Sequence, residues 1–345
     1  MAGIFASVNG HSRNHVARLN LDGTLDETFA PTPGPDTTLY DVLQQPDGKI
    51  LIAGAFRSVS GWASGLIARL NPDGSVDESF QASPRPQSGY ILSMVLQPDG
   101  KIVVGGWLTG FGSVARNHLM RLEANDKADT TYRPPVPNGQ VNRLARTPDG
   151  KLLIAGLFTT PRKKIYRLKP DGALDTTFNA TRPLDGAIRD LTVQSDGSII
   201  IAGEFLSTST QNRSHVARLR PNGALDTTFD AGMGPNDLVW AVAMQPDGWV
   251  VVGGMFTAVN GASRPYLARL RSDGTRPTFA IPAWLSNGEM ALKLFGNAGS
   301  TYLVESSTDL LDWMPVWTNT FTGTFWQWTE SGLTSGQRFY RVVAP

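Results

Sequence analysis

Residues Ile67–Phe80 read I-A-R-L-N-P-D-G-S-V-D-E-S-F, and the rest of the chain is organised around copies of that stretch. Val16–Phe29, Leu119–Tyr132, Ile165–Phe178 and Val216–Phe229 repeat it, and Leu267–Phe279 is a shortened version. The arginines Arg18, Arg69, Arg121, Arg167, Arg218 and Arg269 mark the period. A fixed spacing of ~51 residues is the signature of a repeat architecture, in which each unit buries its apolar faces only by stacking on its neighbours.

One unit spans Leu39–Phe80. Leu39–Gln45 reads as a strand, Pro46-Asp47-Gly48 as a turn, Lys49–Phe56 as a second strand, and a Gly/Ser loop follows through Gly61. Leu66–Asn71 and Ser75–Phe80 form a second hairpin about Pro72-Asp73-Gly74. Proline presets the first turn position, and glycine takes the left-handed position that closes the loop. The second strand is apolar on consecutive residues (Ile50-Leu51-Ile52, Ile102-Val103-Val104, Leu152-Leu153-Ile154, Ile199-Ile200-Ile201, Val250-Val251-Val252). In a hairpin meander, unbroken apolarity means burial on both faces. The pattern predicts an all-β, six-bladed β-propeller of four-stranded antiparallel blades over residues 1–279. Six outer hairpins stand against five complete inner ones, so the N-terminal blade is incomplete. Its inner strands could lie upstream, Pro282–Phe295 could replace them, or the edge could stay open.

The chain has 345 residues, 41% of them apolar, which is ample for a large core. A net charge of +1 gives no electrostatic reason for nucleic acid or an anionic membrane as partner. With no cysteine, disulfides and thiolate chemistry are excluded. No apolar run approaches the ~18 residues of a membrane span. Met1-Ala-Gly-Ile-Phe5 matches the end of a second strand (Ala53-Gly54-Ala55-Phe56), so the reading begins inside a repeat. That is expected of a fragment, and the lack of a signal segment then says little about secretion.

The paired patterns Q-P-D-G-K-I-x-I-A-G-x-F and A-R-L-N-P-D-G-x-L-D-x-T-F resemble the delta-sixty repeat family of bacterial β-propellers. The resemblance implies a secreted or surface protein and supplies no catalytic residues. From about Ala280 the composition changes, and five short strands separated by Gly/Asn/Ser turns are expected over 280–345. Y-L-V-E-S-S-T-D-L-L-D-W with a closing R-F-Y-R-V resembles the small fibronectin-like β-sandwich modules that end secreted bacterial proteins.

Four groups of residues are candidates for function. The repeated arginine falls opposite an aspartate across the hairpin: Arg18 with Asp26, Arg69 with Asp77, Arg121 with Asp129, Arg167 with Asp175, Arg218 with Asp226. Opposed charges support a sheet, so these read as scaffold. The sixth copy lacks the aspartate, and this pairing is not expected at Arg269. His15, His118 and His215 share one repeat position, each two residues after Arg13, Arg116 or Arg213. They could form a partial basic ring for an anionic glycan, or simply be solvated loop residues. Lying in different blades, they are too far apart to share a metal.

The third group lies at the channel mouth, where the first strands begin with Tyr40/Asp41, Leu92/Ser93, Asn142/Arg143, Arg189/Asp190 and Trp240/Ala241. Regular flanks around variable chemistry are what an asymmetric pocket needs, and also what sequence drift produces. The fourth is aromatic: Trp284, Trp313, Trp317, Trp326 and Trp328 crowd the C-terminal segment. Trp326 and Trp328 share a strand face and form either a sugar platform or a small core, with Trp313 expected to be buried.

The residues together predict a secreted or cell-surface, non-catalytic binding protein that takes a carbohydrate or other surface ligand at the mouth, without cofactor or metal. Two alternatives stand beside it. One is a polysaccharide hydrolase or lyase using Asp41 and Asp190 with Arg143 and Arg189. The other is self-assembly through the open edges of the incomplete blade.

Overall fold

A computed structural model describes the chain except residues 81–87, 111–113, 115, 126, 181–184, 207–214, 230–231, 233, 246–248, 272–277, 280–282, 287–288, 296–300, 323–324, 331–337 and 344–345. Two compact units result: Met1–Thr227 with Ala231–Leu270, and Thr228–Asp230 with Arg271–Pro345.

The first unit is the propeller. Each of five repeats forms a three-stranded antiparallel sheet, typified by Leu39–Gln44, Ile50–Gly54 and Ile67–Leu70. The inner strands of the five are Leu39–Gln44, Gly89–Leu96, Gln140–Arg146, Ile188–Val193 and Val239–Met244, and each lies beside the next in chain order. The first repeat enters at the end of its second strand, where Ala2 bridges Val16. The fourth segment of the first five repeats joins by one bridge, as in Leu70 to Val76 and Leu168 to Leu174, rather than by a ladder. The cause is local. The aspartate that follows turns its carboxylate onto backbone N–H groups that a ladder would use (Thr177 N–H to Asp175 Oδ1, 3.0 Å).

Both faces of the middle strands in the second to fifth repeats are buried, as at Leu51 and Ile52. Leu51 and Ile67 pack forward with Ile91, Ile102 and Val104 of the next blade, while Ile52 and Leu70 pack backward with Val16 and Phe29. Burying each such side chain is worth about 1.5–3 kcal/mol. This is the burial that the unbroken apolar runs anticipate.

An arginine–aspartate knot recurs along the rim, joined by Lys49, Lys101 or Lys151 in the second to fourth repeats. Arg167 Nε donates to Asp175 Oδ2 at 2.8 Å, and Lys151 Nζ lies 3.1 Å from the same oxygen. The Thr177 hydroxyl donates to Asp175 Oδ1 at 2.6 Å, and the guanidinium sits 4.9 Å over the Phe178 ring. The knot also reaches across blades, since Arg167 Nη1 donates to the Pro221 carbonyl in the next outer turn at 2.6 Å. Arg18 does the same to Pro72 at 2.7 Å. All five expected arginine–aspartate pairs form. Arg269, in the repeat without the aspartate, lies 4.3 Å over the Trp249 ring. The turn glycine completes the joint: Gly172 has φ +91°, and a Cβ there would meet Tyr132 Cε2 of the preceding blade at 2.5 Å.

The second unit pairs Met290–Phe295 with Phe325–Glu330 in one antiparallel sheet, and Thr301–Ser307 with Met314–Thr320 and Phe339–Val343 in another. Leu294, Tyr302, Val304 and Phe321 form its buried centre. Trp317 of one sheet stacks on Trp326 of the other with centroids 3.6 Å apart, and Trp328 follows at 4.7 Å from Trp326. Trp313 departs from expectation. It is half-buried, its Nε1–H donates to the Leu310 carbonyl at 3.2 Å, and Arg341 covers its ring at 4.3 Å. Its amphipathic ring is satisfied at the margin and needs no core.

Removing one partner of a buried pair strands the other, so Asp175→Ala should cost about 3–5 kcal/mol in urea denaturation. Burial alone would raise the carboxyls of Asp77, Asp129 and Asp175, but hydrogen bonds from Lys, Ser or Thr, and Arg outweigh it and hold all three well below the usual range. Protons therefore prefer the unfolded chain, whose carboxyls titrate near ~3.9. The stability they contribute is present above that pH and is lost as pH falls through the folded values. Melting temperatures measured between neutral pH and about pH 3 should drop on the acid side, and less steeply in Asp175→Asn.

Candidate functional site at the channel mouth

Each inner strand carries a β-bulge near its start, and the bulges coincide with the variable positions. The pairing slips between Leu39 and Asp41, Ile91 and Ser93, Val141 and Arg143, Ile188 and Asp190, and Val239 and Ala241. The bulged residues are therefore Tyr40, Leu92, Asn142, Arg189 and Trp240. A bulge bends its strand and re-aims a side chain. The glycine ending the second strand permits it: a Cβ on Gly203 would meet the Ala187 carbonyl oxygen at 2.1 Å.

In the second to fifth repeats the residue after the bulge is a strap to the next blade. Asp41 Oδ2 accepts from Met94 N–H at 2.6 Å, the Ser93 hydroxyl from Leu144 N–H at 3.1 Å, and Asp190 Oδ2 from Val242 N–H at 2.8 Å. The other oxygen of each carboxylate accepts a local N–H, from Val42 or Leu191. Arg143 Nε lies 3.0 Å from Asp190 Oδ1. Asn142 straps through its amide, donating to the Ile188 carbonyl at 2.7 Å. Burial raises both carboxyls above the ordinary range, against the opposing pull of their N–H donors and of nearby Arg143. The two carboxylates are thus engaged in holding strands together.

Around them the mouth combines aromatic and polar groups. Tyr40 and Tyr90 meet with centroids 5.8 Å apart at 57°. Tyr90 OH donates to Gln140 Oε1 at 2.8 Å, and Gln140 Nε2 to Asn142 Oδ1 at 2.6 Å. Arg189 Nε donates to Glu204 Oε1 at 2.9 Å while its guanidinium lies 4.7 Å over Trp240. Tyr40 and Trp240 remain about half exposed. Tyr90, Gln140 and Glu204 are absent from the sequence-based candidates. Glu204 could have been found, because it is the one charged residue at a repeat position held elsewhere by Ala55, Trp107, Leu157 and Met255.

The expected basic ring takes a different form. His15, His118 and His215 all adopt left-handed backbone, with φ of 65°, 67° and 66°. The Nδ1 atoms of His15 and His215 lie 3.1 and 3.0 Å from the carbonyls of Gly3 and Gly203 in their own blades. His118 and His215 are buried, and burial holds the His118 imidazole below its usual range. His118 and His215 therefore turn inward rather than facing solvent, while His15 is half-buried. Arg13 donates to the Ser12 carbonyl at 2.9 Å, burial lowers Arg116, and Arg213 lies outside the described residues.

Trp326 and Trp328 stack on Trp317 and on each other, so their faces are occupied within the second unit's core. Among the described residues no cluster of three His, Asp or Glu is placed to hold a metal ion.

Because Arg143 lowers both buried carboxyls, Arg143→Met should raise the Asp190 and Asp41 titration midpoints further, Asp190 the more. Side-chain carboxyl NMR titration reads both, and a Asp190 midpoint at or below the ordinary ~3.9 would contradict the geometry.

A crystal structure of a protein of unknown function from Bacteroides caccae is similar over 69% of this chain and 79% of that one, at 16% identity and a TM-score of 0.40. A glycoside hydrolase matches over 89% and 94% at 9% identity and 0.32. The galactose-bound exo-beta-1,3-galactanase from Phanerochaete chrysosporium matches over 95% of each chain at 10% identity and 0.36. No curated protein matches the sequence. The model of a domain of unknown function forming a β-propeller, DUF5122, matches residues 1–29, 45–80, 97–132, 147–178, 194–229 and 245–276. With all six repeats matched, the chain belongs to the DUF5122 β-propeller family.

Proposed function

We propose that the protein is a non-catalytic binding module, secreted or displayed at a cell surface, that takes a carbohydrate at the channel mouth. The observation that carries this reading is the pair of half-exposed aromatic residues set on bulges, Tyr40 and Trp240, beside a chain of planar amides and a neutralised arginine. Aromatic faces stack on the C–H faces of a sugar ring, while amides and phenols hydrogen-bond its hydroxyls; few convergent polar groups on an apolar floor are the usual make-up of a ligand site. Surface display rests on the resemblance to secreted bacterial repeat proteins. The hydrolase reading gains no support from Asp41 and Asp190, since both oxygens of each accept backbone N–H groups and neither is a free proton donor or nucleophile.

A glycan array probed with the intact protein and with Trp240→Ala tests the proposal. Binding of a defined glycan set by the intact protein, weakened at least ~10-fold by the substitution, is expected of a stacking residue at the centre of a site. Binding that Trp240→Ala leaves unchanged would remove the mouth as the site.

A further inference from the structure

Two walls of the propeller unit are apolar and uncovered. The residue opening the third strand packs forward on the next blade in repeat after repeat: Val16, Ile67, Leu119, Ile165 and Val216 are at most 1% exposed. Its counterpart in the sixth repeat, Leu267, is 66% exposed. The same forward face carries Ala241 and Ala243, both exposed, and Val251, half-buried where Leu51, Val103, Leu153 and Ile200 are fully buried. The second wall is the backward face of the Leu39–Gln44 strand. Val42 there is 39% exposed, whereas its counterparts Met94, Leu144, Leu191 and Val242 are at most 6%. Leu19 of the first repeat is also 39% exposed, against at most 7% for Leu70, Leu122, Leu168, Leu219 and Leu270.

What covers these positions elsewhere is visible in the other blades. Ile67 and Leu51 are covered by the hairpin strands bearing Ile91, Met94, Ile102 and Val104, and Ile165 and Leu153 by those bearing Ile188, Leu191, Ile199 and Ile201. In each case the cover is an inner hairpin, apolar on both faces, whose first strand is also hydrogen-bonded to the preceding blade, Met94 N–H donating to Asp41 and the Ile188 carbonyl accepting from Asn142. The uncovered walls belong to the blades at the two ends of the row of inner strands, Val239–Met244 and Leu39–Gln44, with the outer part of the first repeat between them in repeat order.

We propose that this sector is a docking site for a polypeptide β-hairpin of the repeat's own inner pattern, apolar on consecutive residues and turning at Pro-Asp-Gly. Such a hairpin would bury Leu267, Val251 and Val42 as its five counterparts bury theirs. The fit is one of continuity with an interface already repeated in this unit, and it is independent of the carbohydrate reading of the mouth.

The test adds a synthetic peptide with the sequence of residues 39–56 to the full chain and follows binding by calorimetry and melting temperature. One-to-one saturable binding with a raised melting temperature is expected. Leu267→Arg, at a side chain already exposed, should keep the fold and weaken binding at least ~10-fold, because it would place an unpaired charge in an apolar interface. Leu157→Arg, at an exposed position in the fourth repeat, should bind as the unaltered chain does. No binding to the folded protein, or binding that Leu267→Arg leaves intact, would overturn the proposal. So would concentration-dependent dimers abolished by Leu267→Arg, because a second copy would then be the cover.

Discussion

The propeller depends on one polar joint. An arginine at the third strand and an aspartate across the outer turn are drawn together with a lysine, a hydroxyl and an aromatic ring (Arg167, Asp175, Lys151, Thr177, Phe178). Exposed ion pairs contribute little to stability, but this one is nearly buried, its oxygens are fully hydrogen-bonded, and it reaches a carbonyl of the next blade. The fourth segment is held to its sheet by a single bridge. The joint supplies what a longer ladder would otherwise supply, and it fixes the outer rim while apolar hairpins stack inside.

With the rim fixed, the inner end of each blade is free to vary. A bulge at one repeat position displaces Tyr40, Leu92, Asn142, Arg189 or Trp240 from the ladder, and after the first four of these the following residue ties the next strand. Support and display are thus separated by one residue. Asp41, Ser93 and Asp190 are structural, while the neighbouring Tyr40 and Trp240 face outward. The proposal of a binding surface at the mouth rests on that division.

Much of this was legible in the residues. The period, the Pro-Asp-Gly turns and the unbroken apolar middle strands define the blades, and pairing outward from the turn places Arg69 on Asp77 without a structure. Three features were not legible. The fourth segment reads as a strand by alternation, yet the aspartate carboxylate captures its N–H groups and ends the ladder after one bridge. The histidines read as exposed loop residues, because sequence does not show that left-handed backbone turns each ring back on its own blade. The bulges were also hidden, since the slip is visible only in register, although the Ala-Gly and Gly-Gly pairs at the second-strand ends signal the close backbone approach they require.

Native-state hydrogen exchange on the intact chain addresses the polar joint most directly. The amides of Asp26, Asp77, Asp129, Asp175 and Asp226 each donate to the carbonyl of their paired arginine at 2.9 Å. If the joint locks the outer hairpin, these amides exchange only with global unfolding, together with the middle strands. Exchange of the aspartate amides by local opening, while Leu51 and Leu153 stay protected, would show that the outer hairpin is a loose flap and that apolar stacking alone holds the blades.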